Sequence, residues 1–208
     1  MPHSPFFEDV RETVEGLGGL FNAHTHLDRA NTLEDGYVDH GRVSVLKSSH
    51  ISLQKKHALI QTVHDGPAYD SENLRRRVSE TVELMIDAGT RRVDTMVDVT
   101  PDRVGTSALE AVQTYAKTVS EQIDVRAAAY TPLGFADAEP ERWDVFEKGA
   151  KIADFIGALP EADDTDDYPG HIGFDEHCRR VLELAKTENK LLHCFPYQRL
   201  PFLGSHTC

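Results

Sequence analysis

The chain has 208 residues, 39% of them hydrophobic and 27% charged, with a formal net charge of −13. That length suits one domain able to bury a core, and the acidic balance excludes a nucleic-acid backbone or an anionic membrane as a broad partner. Cys178, Cys194 and Cys208 show no paired or metal-knuckle spacing, the start Met1-Pro2-His3-Ser4-Pro5 has no basic or apolar leader region, and no run approaches a membrane span. The expectation is therefore a soluble, cytoplasmic protein with reduced thiols.

In chain order, residues 1–16 are polar and read as an N-terminal stub. A short apolar run (Leu17, Leu20, Phe21) then leads into Asn22-Ala23-His24-Thr25-His26-Leu27-Asp28-Arg29. On an extended chain residues i and i+2 share a side, so His24 and His26 project together from the end of a buried strand. Two neutral imidazoles at a sheet rim make half of a metal site. In a chain with eleven histidines, a chance His-x-His is the competing reading. The connection from Asn31 to Asp70 carries Leu53, Ile60 and Val63 at roughly helical spacing and reads either as part of a lid or as a plain surface loop.

Ser71 to Ala88 has Leu74, Val78, Val82 and Met85 on one helical face, with Gly89 to end it and Arg75-Arg76-Arg77 as a solvated turn. Arg92 to Val99 reads as a strand. Asp98 near its end either supports the mouth from behind or caps the strand, the cap being slightly favoured. Ser107-Ala108-Leu109-Glu110 fits a capping box opening a helix that buries Ala108, Val112, Tyr115 and Val119. Asp124 to Tyr130 is a third strand, and Pro140 opens a helix that buries Trp143, Phe146 and Ala150. Phe155 to Glu161 is a fourth strand with its exit turn, where Glu161 either faces a substrate amine or, the favoured reading, lies in solvent in the acidic loop to Asp167. Phe174 to Asn189 is a helix with Cys178, Val181, Leu182 and Ala185 inward, and Lys190 to His193 begins a fifth strand. Near-continuous apolar strands alternating with helices predict a parallel α/β fold with both sheet faces covered, with five strands and four main helices.

The segment Phe21-Asn22-Ala23-His24-Thr25-His26-Leu27-Asp28-Arg29 resembles the first-strand signature of the amidohydrolase superfamily, most nearly its cytosine-deaminase-like branch. The resemblance runs from about residue 17 to about residue 193. It implies a (β/α)8 TIM-like barrel, here partial with about five parallel strands. It also implies a divalent metal, Zn²⁺ or Fe²⁺, at the mouth, and hydrolysis of carbon–nitrogen bonds in a small nitrogenous substrate such as a cyclic amidine or amide. His24 and His26 are then metal ligands, while Asp28 and Arg29 orient the turn or contact substrate. Thr95-Met96-Val97-Asp98 departs from the family's Thr-His-Val-Asp pattern, since Met96 fills space but cannot hydrogen-bond a substrate. In the fifth strand, Leu192-His193-Cys194-Phe195-Pro196-Tyr197-Gln198 places either His193 or Phe195 at the third ligand position, and a plain strand-end histidine is an equal reading of His193. The catalytic carboxylate is unassigned.

These readings divide the chain into the stub at 1–16, a partial barrel at 17–195 and an irregular tail at 196–208 that does not resemble the family. A complete (β/α)8 barrel takes about 250 residues. The expectation is a shortened form with two open parallel edges, poorly soluble or closed into a homo-oligomer. A non-catalytic remnant of the fold, acting as a binding module, is the alternative function.

Overall fold

Strands that are apolar at nearly every position need cover on both faces, and helices alternating with them supply it. The computed structural model describes residues 4–32, Tyr37 and 60–194. Within them, β1 (Leu20–Thr25), β2 (Thr90–Asp98), β3 (Asp124–Tyr130), β4 (Phe155–Ala158) and β5 (Leu192–Cys194) form one parallel sheet in the order β1-β2-β3-β4-β5. Among the described residues the helices are α1 (Pro5–Gly16), α2 (described over 60–65), α3 (Ser71–Asp87), α4 (Ser107–Val119), α5 (Pro140–Ile152) and α6 (Phe174–Thr187). Each strand pairs with the next in sequence, so every crossover advances the sheet the same way and curls it into a partial TIM-like barrel.

The strand period of two sorts side chains into two layers. Val93, Val97, Val125, Ala127, Ala129 and Ile156 join one buried cluster with helix residues such as Val78, Val82, Val112, Phe146 and Val181. Met96, Ala128, Tyr130 and Phe155 form a second, separate cluster on the concave face. Gly157 belongs to that concave layer. A Cβ there would meet the Met96 sulfur at 2.6 Å, so the methionine occupies space that only glycine leaves open. Val78 and Val82 of α3 pack as the spacing predicts, and Gly89, at φ +86°, ends the helix in the left-handed conformation.

Several expectations are corrected. β1 is not buried: it pairs with β2 alone among the described strands, and Leu20 and Phe21 are exposed. The stub folds as helix α1, with Phe6 and Phe7 exposed and no buried residue. Arg77 is not solvated. It is 1% exposed and donates from Nη1 to the carbonyls of Asp28 (2.9 Å) and Ala30 (2.6 Å) and from Nη2 to that of Ala68. Its position, three residues after Leu74, puts it on the buried face, where it satisfies turn carbonyls that no ladder reaches. The capping box is also absent: the N-cap of α4 is Thr106, whose hydroxyl donates to the Glu110 carboxylate rather than capping a backbone N–H. In α6 the inward face is His177, Val181, Leu184 and Ala185, with Leu182 exposed and Cys178 only half-buried. The acidic loop is not wholly solvated either. Asp163 is fully buried, accepting from the Phe135 N–H (2.7 Å) and facing Nδ1 of His171 (2.8 Å) and His177 (2.6 Å). The predicted lid helix lies largely outside the described residues, as do Phe195 and the tail.

Denaturant unfolding checks these faces. Leu184→Ala should cost about 2–5 kcal/mol and Leu182→Ala less than about 0.5 kcal/mol. Arg77→Leu should destabilise by about 3 kcal/mol or more, because two buried carbonyls and one half-buried carbonyl lose their charged donor. Equal effects at 182 and 184, or a neutral Arg77→Leu, would contradict the assignment.

Candidate active site

The carboxyl ends of the strands carry the chemistry. β1 has an irregular register against β2 between Asn22 and Thr25, and His26 follows directly after the strand. The next turn is tied to β2 where the Leu27 N–H donates to the Thr95 hydroxyl at 3.0 Å. The rings of His24 and His26 come together edge to face, with centroids 5.1 Å apart. His193 on β5 brings its ring within 5.7 Å of His24. In a flat sheet, strands four steps apart lie roughly 19 Å apart, so this contact between the first and fifth strands is a direct consequence of the curl. Tyr130, at the end of β3, packs against His26 at 5.3 Å.

All three imidazoles are biased toward the neutral, ligating form. Burial lowers the pKa of His26 to about 3, helped by the Arg29 charge. Burial also lowers that of His24, with His193 and Arg29 adding to it, and burial lowers His193 against the opposing charge of Asp94. His26 Nδ1 is buried without a hydrogen-bond partner. A cavity of about 320 Å³ adjoins His193, lined by Asp94, Arg126, Phe155 and Cys194 among others.

Beside the imidazoles lies a buried ionic network. Asp98 is fully buried and accepts from Arg29 through both oxygens, with Nε at 2.7 Å from Oδ2. His64 Nε2 lies 2.9 Å from the same Oδ2, and His64 Nδ1 lies 2.7 Å from Asp102 Oδ2. Tyr69 Oη lies 2.8 Å from Asp28 Oδ2 and 3.1 Å from Asp98 Oδ2. Asp28 Oδ2 also accepts from the Asp98 N–H at 2.9 Å, whereas Asp28 Oδ1 is buried and unpartnered. Burial opposes ionisation of Asp98, but Arg29 and His64 outweigh it and hold the carboxyl well below its usual range. Burial and the Asp98 charge raise Asp28 to about 6. Burial would lower His64, yet its bonds to Asp102 and Asp98 raise it to about 9.

Asp98 is thus no simple strand cap. It anchors Arg29, whose guanidinium also lies over the Tyr130 ring at 5.6 Å. Asp28 faces Tyr69 and the β2 backbone within the same buried network. Glu161, in the turn after β4, is half-buried with Oε2 buried and unpartnered, so the solvent reading fails. His64, Tyr69 and Asp102 were invisible to sequence reasoning, because the helical spacing of Leu53, Ile60 and Val63 marks apolar positions and no polar partner, and Asp102 falls in a turn. The donor chemistry of His24, His26 and His193 suits a divalent metal. Among the described residues, however, no group of three or more His, Cys, Asp or Glu side chains is placed to hold one.

Because the pKa of His64 lies above its unfolded value, its contribution to stability is full below about pH 6.5 and is lost as pH rises through about 9. Urea unfolding from pH 6 to 9.5 should show that decline in the parent chain and its loss in His64→Gln. The same decline in both proteins would contradict the ion pairing.

No family model matches the chain. It is 31% identical over 160 residues to an uncharacterised protein of Haemophilus influenzae, covering 76% of this chain and 52% of that protein. It superposes on N-isopropylammelide isopropylaminohydrolase from Burkholderia multivorans with a TM-score of 0.62 at 20% identity, covering 87% of this chain and 41% of the other. For 5-methylcytosine deaminase from Klebsiella pneumoniae liganded with phosphonocytosine, the TM-score is 0.58 at 21% identity, covering 85% and 38%. The chain spans about half the length of the curated relative it matches. Over the five strands described, it carries the partial barrel fold shared with these deaminase and aminohydrolase structures.

Proposed function

We propose that the chain is a metal-dependent hydrolase of non-peptide carbon–nitrogen bonds, of the cytosine-deaminase kind, acting on a cyclic amidine or amide. The observation that carries this reading is the meeting of the His24, His26 and His193 rings at the carboxyl rim, biased toward neutrality. Active-site residues of barrel enzymes gather at that rim. His24 and His26 would hold a Zn²⁺ or Fe²⁺ ion, with His193 as the third imidazole. Such an ion lowers the pKa of bound water to roughly 7. Arg29, fixed by Asp98, presents a cation that orients an electron-rich substrate atom while suppressing protonation of the imidazoles. Asp28, with an unpartnered oxygen and a raised pKa, can hold a proton near neutrality beside Asp98 and Arg29, and Glu161 offers a second carboxyl in the turn after β4.

One observation favours a second reading, a non-catalytic binding module on the same fold: the described residues complete no three-ligand group. Two imidazoles alone compete poorly with water for zinc. Ammonia release separates the readings. Zinc-loaded protein incubated with cytosine and related cyclic amidines should release ammonia, and His26→Ala should abolish it. No release from any of them, with zinc bound, would overturn the hydrolase in favour of the module.

The proposal extends to assembly. Among the described residues β1 and β5 each pair on one side only, leaving parallel edges of the kind that recruit further strands. Light scattering should report a dimer or larger species, and a monodisperse monomer would contradict edge pairing.

A further inference from the structure

The proposed chemistry makes no use of the most enclosed histidine at the rim. His64, on α2, is 0% exposed, and both of its ring nitrogens face carboxylate oxygens, Asp98 at 2.9 Å and Asp102 at 2.7 Å. An ionised carboxylate only accepts hydrogen bonds. Both nitrogens must then donate, and the ring is an imidazolium. Its remaining neighbours agree. The Thr100 hydroxyl stands 3.5 Å from Nδ1 and donates to Asp102 instead, at 2.8 Å. Tyr69 packs on the ring edge to face at 4.7 Å. The charges near the ring come from β2 (Asp98), from the turn after it (Asp102) and, across Asp98, from Arg29 and Asp28 on the turn after β1.

We infer that His64 is a positioning residue of the rim: its doubly protonated ring clamps Asp98 to Asp102 and thereby fixes Arg29 beside the His24 and His26 imidazoles. Asp98 Oδ2 is the shared point, taking His64 Nε2 from one side and Arg29 Nε, at 2.7 Å, from the other. Without the ring, the carboxylate is free to rotate about its last torsion, and the two-point grip on Arg29 loosens. The clamp also joins the end of the long β1–α3 connection to the β2 rim through the carboxylate that holds the guanidinium. The catalytic consequence rests on the hydrolase reading above, whereas the clamp itself does not.

Two measurements on the full chain test it. In uniformly ¹⁵N-labelled protein, both His64 nitrogens should remain protonated from pH 6 to 8. The Arg29 Nε–H should appear as a slowly exchanging resonance that is lost in His64→Gln. A neutral His64 ring at pH 7, or an Arg29 Nε–H equally protected in His64→Gln, overturns the inference whether or not the protein is an enzyme. In the zinc-loaded protein, His64→Gln should leave zinc content unchanged and lower kcat/KM for the best amidine substrate about 10–100-fold, the range expected for removing a supporting hydrogen-bond partner. His64→Gln combined with Arg29→Lys should then be no worse than the poorer single variant. Losses that multiply would show that His64 does not act through Arg29. Absence of activity in the parent chain would sink the hydrolase reading and leave the resonance test to decide the clamp.

Discussion

An ionised carboxylate buried at the end of a strand is the constraint around which the rim is built. Removing an unpaired charge from water costs several kcal/mol even after the protein relaxes. Asp98 is fully buried and held ionised, so cations must come to it. Arg29 arrives from the turn after β1, and His64 from α2. The local structure of both segments follows from that demand. Arg77 is buried for a separate reason: it supplies the donors that the turn carbonyls of Asp28, Ala30 and Ala68 would otherwise lack.

The same constraint shapes the imidazoles. A guanidinium near His24 and His26 disfavours their protonation, which keeps lone pairs available, but an unneutralised guanidinium would equally repel a metal cation. The bidentate grip of Asp98 offsets part of that charge while holding the group in place. Curvature supplies the rest. Met96, Tyr130 and Phe155 fill the concave face and Gly157 makes room for them, so β1 and β5 bend toward each other and His193 meets His24.

Fold class was legible because it rests on periodicity. The strands at Asp124–Tyr130 and Phe155–Ala158 and the helix from Pro140 lie where alternation, apolar runs and an N-terminal proline put them. The paired histidines were legible as well, since i, i+2 spacing on a strand survives a register irregularity. Polar burial was not legible. Arg77 looks like its solvated neighbours Arg75 and Arg76, and only the course of a distant turn makes it a core residue. Asp163 hides in an acidic loop, and its burial depends on two histidines and a backbone N–H that approach where Gly134, at φ +65°, leaves no side chain in the way. His64 lies 34 residues before its partner Asp98, and the helical spacing of Ile60 and Val63 beside it says nothing of that partner. In each case a tertiary hydrogen bond, not a local preference, decides the outcome.

The central proposal is that the imidazoles of His24 and His26 form the metal-binding edge of a hydrolytic rim. Calorimetric titration of the metal-free full chain with Zn²⁺ at pH 7 tests it most directly. The account predicts one ion per chain, bound at sub-micromolar concentration, with binding lost in the His24→Ala/His26→Ala double variant. Failure to bind zinc, or identical binding by the double variant, would contradict it.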